Sequence, residues 1–180
     1  NTTDGNDEIA FLFLQNTSIY SIIQFSDIGW DNTKTIPGFS KKDYDGIFSW
    51  RAEKNYSLGS TEKTSHVLGS SEFNIKNSTN GDQIFILQGN YVTNPNLIFG
   101  LNVNHTAWQN LIAPNEYTSG LPQQLINNNF IYEFLNAKYI GKTNFSDAIS
   151  ARLEIMNPVN WQGSDTVIQD LTFTGFSIGT

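Results

Sequence analysis

Apolar residues along this chain come in short bursts, separated by Gly, Asn, Asp and Ser, and few of the bursts repeat at helical spacing. The run Ile9–Leu14 and the stretch Ser18–Phe25 predict a first hairpin. In its second strand Ile19, Ile22, Ile23 and Phe25 mix alternation with one doublet, as a bulge or burial on both faces would require. A turn cluster from Ser26 to Asn32 carries Trp30 within it. Asp45-Gly46 then leads into Ile47-Phe48-Ser49-Trp50-Arg51-Ala52, which alternates as a half-buried strand does. His66-Val67-Leu68 and the segment 73–75 are weaker strand candidates. Asn80-Gly81-Asp82 is a turn that opens a core strand over 83–88, with 96–103 as its neighbour.

Residues 106–129, with Pro114 and Pro122, read as loop with one short helical turn. Ser146 can cap a helix over 146–156, in which Phe145, Ile149, Leu153 and Met156 form one apolar stripe, and Pro158 ends it. The segment 166–178 predicts a long strand, with Leu171 and Phe173 facing one way and Phe176 and Ile178 in a phase shifted by Gly175. Many short strands and one late helix predict a mainly all-β fold, a β-sandwich or jelly-roll-like domain with one short helix near residues 146–156. Residues 1–8 read as a polar N-terminal arm and 9–180 as a single domain.

Composition narrows the function classes. Of 180 residues 13% are aromatic and 22 are asparagine, while there is no cysteine and only two histidines. The absence of cysteine excludes disulfides, thiolate metal sites and cysteine catalysis. A net charge of −7, a pI near 4.6 and a single basic doublet, Lys41-Lys42, disfavour nucleic acid and anionic membranes as partners. The longest apolar run, Ile9–Leu14, is too short to insert across a bilayer. Because the chain begins at Asn1, it reads as a processed product or an excised piece. Acceptor sequons at Asn1, Asn16, Asn55, Asn77, Asn104 and Asn144 mark surface loops and a glycoprotein where the source organism glycosylates asparagine.

Candidate chemistry is sparse. No nucleophile elbow accompanies His66 or His105, so both read as surface polar residues and the chain as a non-enzyme. Acidic loops are the better site candidates, because hard cations take clustered oxygens: Asp27 with Asp31, and Asp43 with Asp45, are candidate calcium ligands. The same residues serve as turn formers through side-chain to backbone bonds. Trp30 and Trp108, in loop-like sequence, are candidate platforms for stacking on a glycan, beside the alternative that they cap the core.

Several motifs fall in a specific order. Asp7-Glu8-Ile9-Ala10-Phe11 is followed by Ile23-Gln24-Phe25-Ser26-Asp27-Ile28-Gly29-Trp30, then by Gly81-Asp82-Gln83-Ile84-Phe85 with Gln88-Gly89. Next come Asn94-Pro95-Asn96-Leu97-Ile98-Phe99-Gly100-Leu101-Asn102, Leu121-Pro122, Ala137-Lys138-Tyr139 and Asn160-Trp161. Over roughly residues 7–162 this order resembles a β-rich domain of unknown function found in secreted and surface-anchored bacterial multidomain proteins. The resemblance implies a location and a class, with no enzymatic chemistry attached.

These features together lead to the expectation of a secreted, extracellular or cell-surface structural protein. It would be the subunit of a filament, sheath or adhesive layer, assembling with copies of itself by strand addition. Leu171, Phe173, Phe176 and Ile178 would be the inserted side chains. The alternative is a calcium-assisted carbohydrate-binding module using Trp30 or Trp108.

Overall fold

A computed structural model describes residues 8–41, 45–63, 81–115, 117–172 and 175–180. The strand candidates at 66–68 and 73–75, most of the N-terminal arm, His66, Asp43 and Phe173 lie outside these residues.

In chain order the strands are β1 (Ala10–Leu12), β2 (Ile22–Ser26), β3 (Trp30–Asp31), β4 (Gly38–Phe39), β5 (Ile47–Arg51), β6 (Thr61–Lys63), β7 (Asp82–Asn90), β8 (Asn94–Val103), β9 (Asn129–Tyr132), β10 (Asn136–Tyr139) and β11 (Asn144–Phe145). Helix α1 (Ala148–Ile155), β12 (Trp161–Ser164) and β13 (Ser177–Ile178) complete the order. The fold is all-β and sandwich-like. Its centre is a five-stranded sheet in the order β5-β2-β7-β8-β9, antiparallel except for the parallel β8–β9 pair. Two-stranded pieces, β1–β6, β3–β4, β10–β12 and β11–β13, account for the other strands.

Alternation explains why that sheet is central. On one face Phe25, Phe48, Trp50 and Ile84 join Phe13 and Tyr56 in one aromatic-rich core. On the opposite face Phe85 and Leu87 pack with Trp30 and Leu125 in a second core. Adjacent residues Ile84 and Phe85 therefore serve different cores, which is why the sequence around β7 reads as an unbroken apolar run. A bulge between Ile86 and Leu87 shifts the β7–β8 register and places Leu97 opposite Leu87.

Four expectations are corrected. The segments 9–14 and 18–25 do not form a hairpin: β1 pairs with β6, while β2 sits between β5 and β7. The chain crosses between layers there, so Phe11 meets Phe25 at a tilt and Trp50 edge-on, at ring-centroid distances of 5.3 Å each. The helix starts at Ala148 with Asp147 as its cap, its carboxylate accepting from the Ser150 N–H while the Ser150 hydroxyl bonds back to the Asp147 N–H. Its inward residue is Ala151, whose small side chain permits close approach, and the expected stripe residues Ile149 and Leu153 are exposed. Finally, among the described residues of the predicted strand over 166–178 only Ser177–Ile178 is a strand, and residues 166–168 and 170–172 bond only to near neighbours.

Burial of both faces of one sheet predicts matching penalties for Phe25→Ala and Phe85→Ala. Both rings are fully buried. Each truncation should cost about 3–5 kcal/mol in chemical denaturation. A loss below about 1 kcal/mol for either would show that its face is not a packed core.

Candidate functional site

The layer facing Phe25, Trp50 and Ile84 is built from two separate parts. One is the β1–β6 pair, which turns Phe11 and Phe13 inward against Trp50. The other comes from the second half of the chain. There Trp161 lies between Phe130 and Tyr139, at 5.2 and 5.6 Å, and donates its indole N–H to the Ile155 carbonyl. Phe176 stacks on Phe145 with rings 8° from parallel. Gly59 holds one contact between the two parts. Its φ is +87° and a side chain there would meet the Phe176 carbonyl oxygen at 2.5 Å, so the position requires glycine.

Between the parts runs an open cleft of about 500 Å³. Ile23, Ile86, Phe99 and Leu101 of the central sheet form its floor, with Ile155, Met156 and Trp161 on one wall. The opposite wall is β1 and its flanks: seven consecutive residues, Ile9 to Gln15, line the cleft. A strand that offered only a face would contribute alternate residues, so this wall is a strand edge.

The hydrogen bonds define that edge. Phe13 donates to the Ser60 carbonyl and accepts from the Gly59 N–H, both at 2.9 Å, spending its main-chain groups on the β6 side. Antiparallel alternation turns the main-chain groups of Ala10, Leu12 and Leu14 to the other side. Among the described residues β1 has β6 as its one strand neighbour, so that edge borders the cleft unpaired. The even-numbered Leu12 and Leu14 are only half-buried.

Among the described residues one charged side chain lines the cleft. Arg152 of α1 donates from Nη1 to Asn128 Oδ1 at 2.7 Å. Its Nε is buried without a hydrogen-bond partner, and no acid pairs with it among the described residues. A guanidinium among Phe130, Ile155 and Met156 is a cation lacking its anion, which costs free energy unless an occupant supplies one.

The expected site residues lie elsewhere. Trp30 is buried against Phe39 and Phe85, with its indole N–H on Asn32 Oδ1 at 3.0 Å, so its expected role as an exposed glycan platform is corrected. Trp108 is half-buried, stacked on Phe85 at 5.7 Å and bonded to Asn129 Oδ1. Asp27, Asp31 and Asp45 are buried too: Asp27 accepts from the Gly46 N–H at 2.6 Å, and Asp31 accepts from the Thr33 N–H and hydroxyl. Among the described residues no three His, Cys, Asp or Glu side chains converge as a metal site would require. Gln83, on the neighbouring strand, donates to the Asp27 carbonyl, tying the second and third sequence motifs together. Leu171 is buried, Phe176 lines the cleft, and Ile178 pairs with Phe145 of its own chain. His105 binds the Tyr117 carbonyl oxygen at 2.7 Å through Nε2.

No family model, curated protein or solved structure matches the chain. The site's chemistry is that of its geometry: an apolar trough, a bare strand edge and one cation. Among the described residues no helix is long and apolar enough to cross a membrane. Sequence reasoning missed the cleft because its walls come from segments more than a hundred residues apart. The available signal was the run Ile9–Leu14, apolar at every position where alternation would suffice for a one-faced strand.

The β1 wall is braced by Tyr56, whose ring stacks on Phe13 at 4.6 Å and whose hydroxyl donates to Glu62 Oε2 at 2.7 Å. Burial, then the Glu62 hydrogen bond and the charges of Glu62 and Glu53, push its phenol up to about 12. The unfolded chain ionises near pH 10. Stability from this group is therefore full below pH 10 and lost as the pH rises through 10 to 12. In a phenolate absorbance titration Tyr56→Phe should remove one phenol from the high-pH part of the curve, which the buried Tyr132 and Tyr139 share; a high-pH part unchanged in that variant would contradict the bracing.

Proposed function

We propose that this protein is a non-enzymatic structural subunit, secreted or displayed outside the cell, that assembles with copies of itself by strand addition. The observation that carries this reading is the unpaired edge of β1 running beside an apolar cleft. An added strand would satisfy the Ala10, Leu12 and Leu14 main-chain groups and press alternate side chains onto Ile23, Ile86 and Phe99. Main-chain bonds would give affinity, and the apolar floor would supply burial at roughly 25 cal/mol per Å².

Exposed asparagines fit an extracellular setting. Asn16 and Asn55, both in acceptor sequons, are exposed, and their side-chain carbonyls brace the loops beside β1 by accepting from Leu58 and Ile19 N–H groups. A contact between one copy's edge and another copy's segment is heterologous, so repetition builds a filament wherever the rotation between copies does not close a ring.

Electron microscopy and sedimentation over a concentration series provide the test. Ordered polymers are expected, and they should vanish in Leu12→Pro while its melting temperature stays close to that of the parent. Proline at this position removes a donor from the free edge and leaves the Phe13–Ser60 bond in place. A species that stays monomeric at every concentration would contradict the proposal.

A further inference from the structure

Building on strand addition at this cleft, we propose that the strand it accepts is the segment 165–172 of a second copy, recognised through a carboxylate, Asp170, that pairs with Arg152. Four observations lead there. The first is that the segment has strand-forming residues and, among the described residues, lies in no strand; its Asp165 carboxylate accepts from the Leu135 N–H at 3.1 Å. Thr166 and Val167 N–H groups both bond to Ser164 Oγ, and the Thr172 N–H bonds to Asp170 Oδ1, all within three residues. No main-chain bond ties residues 166–168 or 170–172 to a distant part of the described chain.

The second is exposed apolar surface. Val167 and Ile168 are 59% and 52% exposed, and Leu171 is the segment's buried anchor. β-branched and aliphatic side chains at these positions suit a pleated, half-buried strand better than a solvated loop. In extended form Val167 and Leu171 share one face, and Asp170 lies on the other.

The third is length. Seven consecutive residues of the β1 wall line the cleft, and the segment offers eight. At about 3.3 Å per residue the two runs match within one residue.

The fourth is charge. Among the described residues Arg152 is the cleft's one charged residue and has no acid beside it, whereas Asp170 is exposed and receives hydrogen bonds only from Thr172. A guanidinium–carboxylate pair at a partly desolvated site is stronger than a surface pair and fixes register, since a shift of one residue would bring Gln169 or Leu171 to Arg152.

The test titrates a fluorescently labelled Asp165–Thr172 peptide into the full chain held at a concentration where it is monomeric, and reads anisotropy. Saturable binding is expected, weakened about tenfold by Asp170→Asn in the peptide or by Arg152→Met in the protein. The two changes together should weaken it no further than either alone, as coupled partners do. The peptide substitution requires no refolding, so it stands even where Arg152→Met unfolds the protein. Binding that ignores both substitutions would overturn the Asp170–Arg152 pairing and leave strand addition in place. No binding by a protein that still forms polymers would overturn this donor segment alone, and no binding by one that forms none would overturn both. Uptake of laurate without the peptide would assign the cleft to an amphiphile and overturn the proposal.

Discussion

A sheet with apolar side chains on both faces must be covered twice, and that requirement governs this molecule. Phe85 and Leu87 are covered by Trp30, Phe39 and Leu125. Phe25, Trp50 and Ile84 are covered by Phe13, Tyr56 and the β1 wall. The second cover is discontinuous. It consists of the β1–β6 pair on one side and the aromatic group around Trp161 on the other, with Ile86, Phe99 and Leu101 between them at the bottom of the cleft. Without disulfides the chain relies on ring contacts to hold these pieces together. Phe11, Phe13, Trp50 and Tyr56 form one connected set, and Phe130, Tyr132, Tyr139 and Trp161 another.

The same constraint decides what was legible in the sequence. Where a strand is covered the same way along its length, local pattern sufficed: Ile47–Arg51 alternates buried and exposed as read, and the 83–88 and 96–103 pair is the central antiparallel ladder β7–β8. The late helix and the helical turn before residue 129 were also legible, since caps and prolines act locally. Pairing was not. A run such as Ile9–Leu14 looks alike whether it folds back on its neighbour or crosses to the opposite layer, and the choice is made by contacts with Trp50 and Tyr56 far along the chain. Strands β9, β10 and β12 were hidden because they are short and their apolar residues are mostly Phe, Tyr and Trp set among polar ones.

Site residues were legible only in kind. The acidic loops do carry specialised aspartates, but Asp27 and Asp31 accept backbone N–H bonds at the ends of β2 and β3, a role that turn chemistry alone assigns. Trp30 sits in loop-like sequence and is nonetheless core, because β3 folds across the sheet and lays the ring on Phe85's side. Arg152 had no sequence signal. It lies on a helix whose apolar residues Ile149 and Leu153 look outward, and only the packing of Ala151 turns the guanidinium toward the cleft.

The central claim is that β1 offers an unpaired edge to the cleft, and amide hydrogen exchange of the monomer resolved by residue tests it most directly. The Phe13 amide, bonded to Ser60, should be protected, while the amides of Ala10, Leu12 and Leu14 should exchange orders of magnitude faster and become protected once copies assemble. Protection of Leu12 and Leu14 equal to that of Phe13 in the monomer would mean that the edge is already paired, and would contradict the account.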